Sequence, residues 1–118
     1  PQEVSLIDAR KGLQLFEEVR VPVLGIIENM SYFQGDDGKR YEPFGSGGGQ
    51  RLASQNGVPF LGQIPIDQQV AQSGDAGLPI VASHPNSQSS KAFQELASRV
   101  QKDLASFQNP VKLPTLEL

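Results

Sequence analysis

Asn29 is the residue whose type and position best suit ligand chemistry. It directly follows the short apolar run 23–28, Val-Leu-Gly-Ile-Ile-Glu. In open parallel sheets, ligands bind beyond the carboxyl ends of the strands. A side-chain amide offers one acceptor and two donors in a plane, matching the amino group and ring nitrogen of adenine. An equally open reading is that Asn29 satisfies local backbone in the turn. Pro65 and Asp67 stand at the corresponding point after a second apolar run, 60–64. There Pro65 would present a flat ring face to a ligand or simply end the strand, and Asp67 is better suited to capping the next helix.

Other candidates carry less. Gly45-Ser46-Gly47-Gly48-Gly49 looks like a phosphate cradle, but Gln50-Arg51 follows where a phosphate-binding loop needs Lys and Ser or Thr. The favoured reading is a tight loop entering a helix. Gly38-Lys39 is followed by Arg40, which also fails that pattern. No apolar strand ends in an Asp placed to hold Mg²⁺, so the chain alone is not expected to hydrolyse ATP, and no catalytic or metal-binding residue is assigned. His84 has no acidic partner at a useful spacing and reads as a solvated loop residue. Asp36 and Asp37 lack the spacing of a calcium loop and read as a solvated turn. Asn29-Met30-Ser31 is a glycosylation acceptor only in a secreted protein.

The elements that must position these residues follow from periodicity. Leu6, Ala9, Leu13 and Phe16 form a helical stripe over 2–20, and Gly12 within it suggests a close neighbour. Residues 23–28 suit a strand buried on both faces. The loop 31–45 turns at Gly35-Asp36-Asp37-Gly38, with Tyr32, Phe33, Tyr41 and Phe44 placed either to pair as a hairpin or to pack the loop down. A short helix over 47–56 should stop at Gly57. The second strand, 60–64, leads to a helix over 68–73 capped by Asp67. A last helix, capped by Ser87, shows the face Phe93, Leu96, Ala97, Val100, Leu104 and Phe107, and 108–118 reads as a tail. This alternation indicates an α/β fold with a parallel sheet. Two strands alone are too few for a self-sufficient parallel sheet, which suggests part of a larger domain or pairing with another copy.

Composition sets the bounds. The 118 residues are 37% hydrophobic and 19% charged, which is globular. A net charge of -3 gives no general basic field for nucleic acid or anionic lipid. With no cysteine, there is no disulfide, thiolate metal site or Cys nucleophile. That fits a reducing compartment, and a cytoplasmic location is expected. No apolar run nears the roughly 20 residues that span a bilayer. The opening Pro-Gln-Glu without Met suggests a fragment.

Together the segments 21–33 (VPVLGIIENMSYF), 44–49 (FGSGGG), 62–67 (GQIPID) and 74–79 (GDAGLP) resemble the Mrp (ApbC-like) family of P-loop ATPases, in the MinD/ParA-like branch. The resemblance covers about 1–107 and implies the C-terminal part of a Rossmann-like nucleotide-binding domain. It further implies a homodimeric ATPase using ATP and Mg²⁺ that carries iron–sulfur clusters to apo-protein clients, with no nucleic-acid or membrane partner. By motif, Asn29 would pair with adenine, and Ile64, Pro65, Ile66 and Asp67 would line the adenine side. The phosphate and Mg²⁺ residues of the family have no match. Many members carry Cys-x-x-Cys after the segment matching Tyr32-Phe33; here Gln34-Gly35-Asp36-Asp37-Gly38 stands instead. Carboxylates are poor substitutes for cluster thiolates, which counts against a cluster at this loop. The alternatives are a MinD/ParA-like positioning ATPase, against which a tail with Lys112 as its only base argues, and a non-catalytic dimerisation module.

Overall fold

The computed structural model describes residues 1–106; Phe107 and the expected tail 108–118 lie outside the described residues. The elements run α1 (Glu3–Glu18), β1 (Ile26–Glu28), β2 (Phe33–Gln34), β3 (Arg40–Tyr41), α2 (Gly48–Gln55), β4 (Phe60–Gln63), α3 (Gln68–Asp75), α4 (Ile80–Ser83) and α5 (Gln88–Ser106). This is the expected α/β alternation, with a parallel β1–β4 pair at its centre and a separate antiparallel β2–β3 hairpin.

Three helices end in the same way, and the sequence shows why. At the end of α2, Gly57 takes φ 63°, and Val58 N–H reaches back to Ala53 O at 3.1 Å. At the end of α3, Gly77 takes φ 70°, and Leu78 N–H reaches Ser73 O at 2.8 Å. Both are left-handed glycine stops that satisfy the last carbonyls of the helix. α1 makes the same closure with Arg20 at φ 58°, and Val21 N–H donates to Phe16 O at 2.8 Å. At the other ends, Asp67 Oδ1 accepts from Gln69 N–H at 2.8 Å and Ser87 Oγ from Ser90 N–H at 3.1 Å, so the expected N-caps form.

The core is small. Leu61, Ile64 and Leu96 form its buried cluster, with Phe93 and Val100 packed against it, so α5 covers one face of β4. Arg99 adds a hydrogen bond from its guanidinium to Leu61 O at 3.2 Å. Leu52 and Ala53 of α2 are buried in contact with the β1–β4 pair, and Leu6 of α1 is buried in turn.

Several expectations are corrected. The strand expected over 23–28 shortens to Ile26–Glu28, with an irregular register between Ile26 and Ile27. It is not buried on both faces, because Ile27 is 43% exposed. β1 pairs only with β4 among the described residues, so nothing there covers its second face or free edge. In α1 only Leu6 of the expected stripe is buried; Phe16 is exposed, as are Val4, Ile7, Leu15 and Val19. Gly12 has no close neighbour: an added Cβ would meet nothing within 4 Å. α4 was not foreseen, being a single turn after Pro79. Leu104, expected on the buried face of α5, is exposed.

Candidate nucleotide-side site

β1 and β4 are parallel, so their carboxyl ends leave the sheet on the same side. Glu28 pairs with Gln63 in register. The ladder then continues past the strands: Ile64 N–H donates to Glu28 O at 2.9 Å, Ser31 N–H to Ile64 O at 3.0 Å, and Ile66 N–H to Tyr32 O at 2.6 Å. The two exits, Glu28-Asn29 and Pro65-Asp67, therefore run side by side on one rim.

Glu28 organises that rim, although sequence reasoning treated it only as the end of the strand. It is 3% exposed. Its carboxylate accepts from Ser31 Oγ at 2.6 Å, from Gly49 N–H at 2.6 Å and from Gln63 Nε2 at 3.3 Å. Burial by itself would push this carboxyl up, but the bonds from Ser31, Gly49 and Gln63 outweigh it and hold Glu28 below the ordinary carboxylate value. The same contact explains the glycine run. Gly47 turns into α2 at φ 70°, and the first turn of that helix presents its N–H to a carboxylate of this chain. A Cβ on Gly49 would lie 3.0 Å from Glu28 Oε2 and 3.2 Å from Phe60, so a larger residue would push Glu28 and Phe60 aside by a few tenths of an ångström. The run is a tight loop entering a helix, as favoured. A polar residue ending an apolar strand was the available signal for Glu28.

Asn29 lies exposed on the rim. Its Oδ1 accepts from Met30 N–H at 2.9 Å, which meets the turn reading; the amide nitrogen has no partner among the described contacts. Met30 follows at φ 52°, a left-handed conformation costly for a side chain of this kind, and strain of this sort gathers at ligand sites.

The four residues of the other exit separate. Ile64 packs into the core with Leu61 and Leu96 and is 7% exposed. Pro65 is buried. Asp67 caps α3 through Oδ1, and its Oδ2 accepts from Ser89 Oγ at 2.6 Å, binding the start of α3 to the start of α5. Pro65, Ile66 and Asp67 nevertheless line a shared pocket of about 400 Å³, whose other wall holds Phe33, Gln34 and Asp36 and whose rim is closed by the first residues of α3 and α5. Asn29 and Ile64 are not among its lining. A larger groove of about 860 Å³ between α3, α4 and α5 is lined by apolar residues such as Val70, Leu78 and Phe93 and includes none of the strand-exit residues.

His84 is exposed at the end of α4, with Nδ1 3.0 Å from Ser83 Oγ. Asp37 accepts from Tyr41 OH at 2.7 Å and from Lys39 N–H at 2.9 Å. Those bonds hold Asp37 below its ordinary value, and the Tyr41 phenol is raised in return. Among the described residues no group of His, Asp and Glu could hold a metal ion, and no helix is long and apolar enough to cross a membrane.

Comparison with known proteins adds to this geometry. The family profile described as "ParA: NUBPL iron-transfer P-loop NTPase" matches residues 1–101. The chain is 47% identical over 102 residues to an iron-sulfur cluster carrier protein of Synechocystis, covering 85% of this chain and 29% of that protein. It is 42% identical over 114 residues to the Arabidopsis thaliana iron-sulfur protein required for NADH dehydrogenase, mitochondrial, covering 93% and 36%. A nucleotide-binding protein of Archaeoglobus fulgidus, solved in complex with ADP, superposes with a TM-score of 0.52 at 36% identity over 58% of this chain and 29% of its own. The chain thus spans little more than a third, or less, of the relatives it matches. The profile match over 1–101, on an α/β chain with a parallel strand pair, places this protein in the ParA/NUBPL iron-transfer family of P-loop NTPases.

Proposed function

We propose that this chain is the C-terminal part of an ATP-binding iron–sulfur cluster carrier and supplies the adenine side of its nucleotide site. The observation that carries the reading is the common rim formed by the two strand exits, tied together from Glu28 to Ile66 by backbone hydrogen bonds. On that rim Asn29 Nδ2 is the donor for a base. Pro65, Ile66 and Asp67 form one side of a pocket of a size suited to a small ligand. The ADP-bound relative and the carrier proteins among the homologues support the same assignment.

The residues fit one half of a nucleotide and not the other. No Lys-Ser/Thr loop is present for phosphates, and the N-terminus of α2 is already engaged by Glu28. Phosphate, Mg²⁺ and hydrolysis belong, in this reading, to sequence outside the chain. No cysteine is present to ligate a cluster, so thiolates for the cargo must also come from elsewhere. From the family reading we further infer a homodimer, apo-protein clients and a cytoplasmic setting.

The test is equilibrium binding of ATP to the full-length protein containing this chain. Asn29→Ala should weaken binding by about 1–3 kcal/mol, the range for a well-placed amide–base contact. An unchanged dissociation constant removes Asn29 from the site. Anaerobic reconstitution with iron and sulfide then decides the cargo: a protein that neither takes up nor transfers a cluster is not a carrier.

A further inference from the structure

One wall of the 400 Å³ pocket belongs to the β2–β3 hairpin rather than to the sheet, since Phe33, Gln34 and Asp36 face Pro65, Ile66 and Asp67 across it. This hairpin has little to hold it in place. It consists of two residue pairs, Phe33 with Tyr41 and Gln34 with Arg40. Phe33 is 45% exposed and Tyr41 47%, so no buried apolar face seats it. A two-stranded hairpin of this size is marginal by itself.

Arg40 supplies the missing attachment. Its guanidinium lies 3.8 Å from the centroid of the Tyr32 ring, and its Nη2 donates to Gln63 Oε1 at 3.0 Å. Gln63 passes the contact on, donating from Nε2 to Glu28 Oε1 at 3.3 Å, while Glu28 Oε2 holds Gly49 N–H. The two neighbours of Gln63 demand the same orientation of its amide, with the carbonyl towards the cation and the NH₂ towards the carboxylate. Gln88 Nε2 donates to Tyr32 OH at 3.2 Å from the start of α5. A continuous polar chain thus joins the hairpin to β4, β1 and α2.

We propose that Arg40 is a positioning residue that seats the β2–β3 hairpin as the movable wall of this pocket, so that a base bound against Pro65–Asp67 and the seated hairpin stabilise each other. The coupling to a base rests on the adenine-side reading above; the seating by Arg40 does not.

The experiment has two arms, both on the full-length protein containing this chain. In the first, amide hydrogen exchange is followed without nucleotide. Gly35 N–H, bonded to Lys39 O, and Ile66 N–H, bonded to Tyr32 O, report the hairpin and its root. Arg40→Leu should speed their exchange about tenfold, the scale of a charged hydrogen bond plus an exposed cation–π contact, and leave α5 unchanged. Gln63→Leu, which removes the other partner, should do the same. Glu42→Gln, which breaks only the 3.5 Å Arg40–Glu42 pair, should not. Unchanged exchange in both Arg40→Leu and Gln63→Leu overturns the seating role.

In the second arm, millimolar ADP is added and backbone NMR shifts are followed. Shifts at Gln34 and Asp36 together with Gln68 and Gln69, with affinity weakened about fivefold by Arg40→Leu, support the coupled wall. Shifts confined to Gln68 and Gln69 overturn it while leaving the adenine-side reading intact. No shift on either side of the pocket overturns the adenine-side reading and the coupling with it, and the exchange arm alone then decides the role of Arg40.

Discussion

The Glu28 carboxylate accepts the backbone N–H of Gly49 at 2.6 Å, joining the end of a central strand to the first turn of a helix 21 residues later. It is buried, and Ser31 Oγ and Gln63 Nε2 complete its set of donors. Removing it strands the buried donors Ser31 Oγ and Gly49 N–H. Glu28→Ala should cost about 2–4 kcal/mol in urea unfolding at neutral pH, and Glu28→Gln somewhat less. The pH dependence has a definite sign. The folded-state pKa lies below the unfolded one, so the contribution of this carboxylate is complete above about pH 4.5 and is lost as the pH falls from there through the folded value. Unfolding curves from pH 7 to pH 3 should therefore be shallower in Glu28→Gln than in the native chain.

Ile64→Ala should act on stability rather than on ligand contact. The side chain is packed with Leu61 and Leu96, and truncating it should cost about 2–4 kcal/mol. At a temperature where the variant is fully folded, nucleotide affinity should stay within about twofold of the native value, because nothing that faces the pocket is removed. Paired denaturation and binding measurements check this.

Gly12→Ala should stabilise the chain. The position lies inside α1, and an added Cβ meets nothing within 4 Å. The gain should approach the helix-propensity difference, about 1 kcal/mol, read as a raised urea midpoint with unchanged slope.

Gly25→Ala should do the opposite. A Cβ there would lie 2.6 Å from Pro59 O and 2.7 Å from Leu61 Cγ, where Ile26 N–H bonds Pro59 O at 2.8 Å. Backbone cannot yield as a side-chain tip can, so a loss of about 1–3 kcal/mol is expected, with faster exchange of the Ile26 amide.

The sequence disclosed the elements where a local signal sufficed. Gly57 stops α2, and Asp67 and Ser87 cap α3 and α5, because each acts within a few residues of itself. The common rim was legible because two apolar runs separated by a helix imply parallel strands. What depends on contact across the chain was not legible. Ile64 and Asn29 both end or follow apolar runs, yet one turns into the core and the other outward. Phe16 continues the stripe of Leu6 in sequence, but no described element lies beneath it. The hairpin was one of two readings of its aromatic residues, and nothing local shows that Arg40 reaches Gln63.

The pairing of β1 with β4 bears on how the chain is made. Synthesised from the N-terminus, β1 emerges with its pairing partner still unmade, because the hairpin and all of α2 come between them. The backbone of Ile26–Glu28 and the anchor that Glu28 supplies to the first turn of α2 both wait on that interval. Until β4 leaves the ribosome, this short apolar strand is an open edge, and that is when chaperone capture or wrong pairing with another nascent chain would compete with folding.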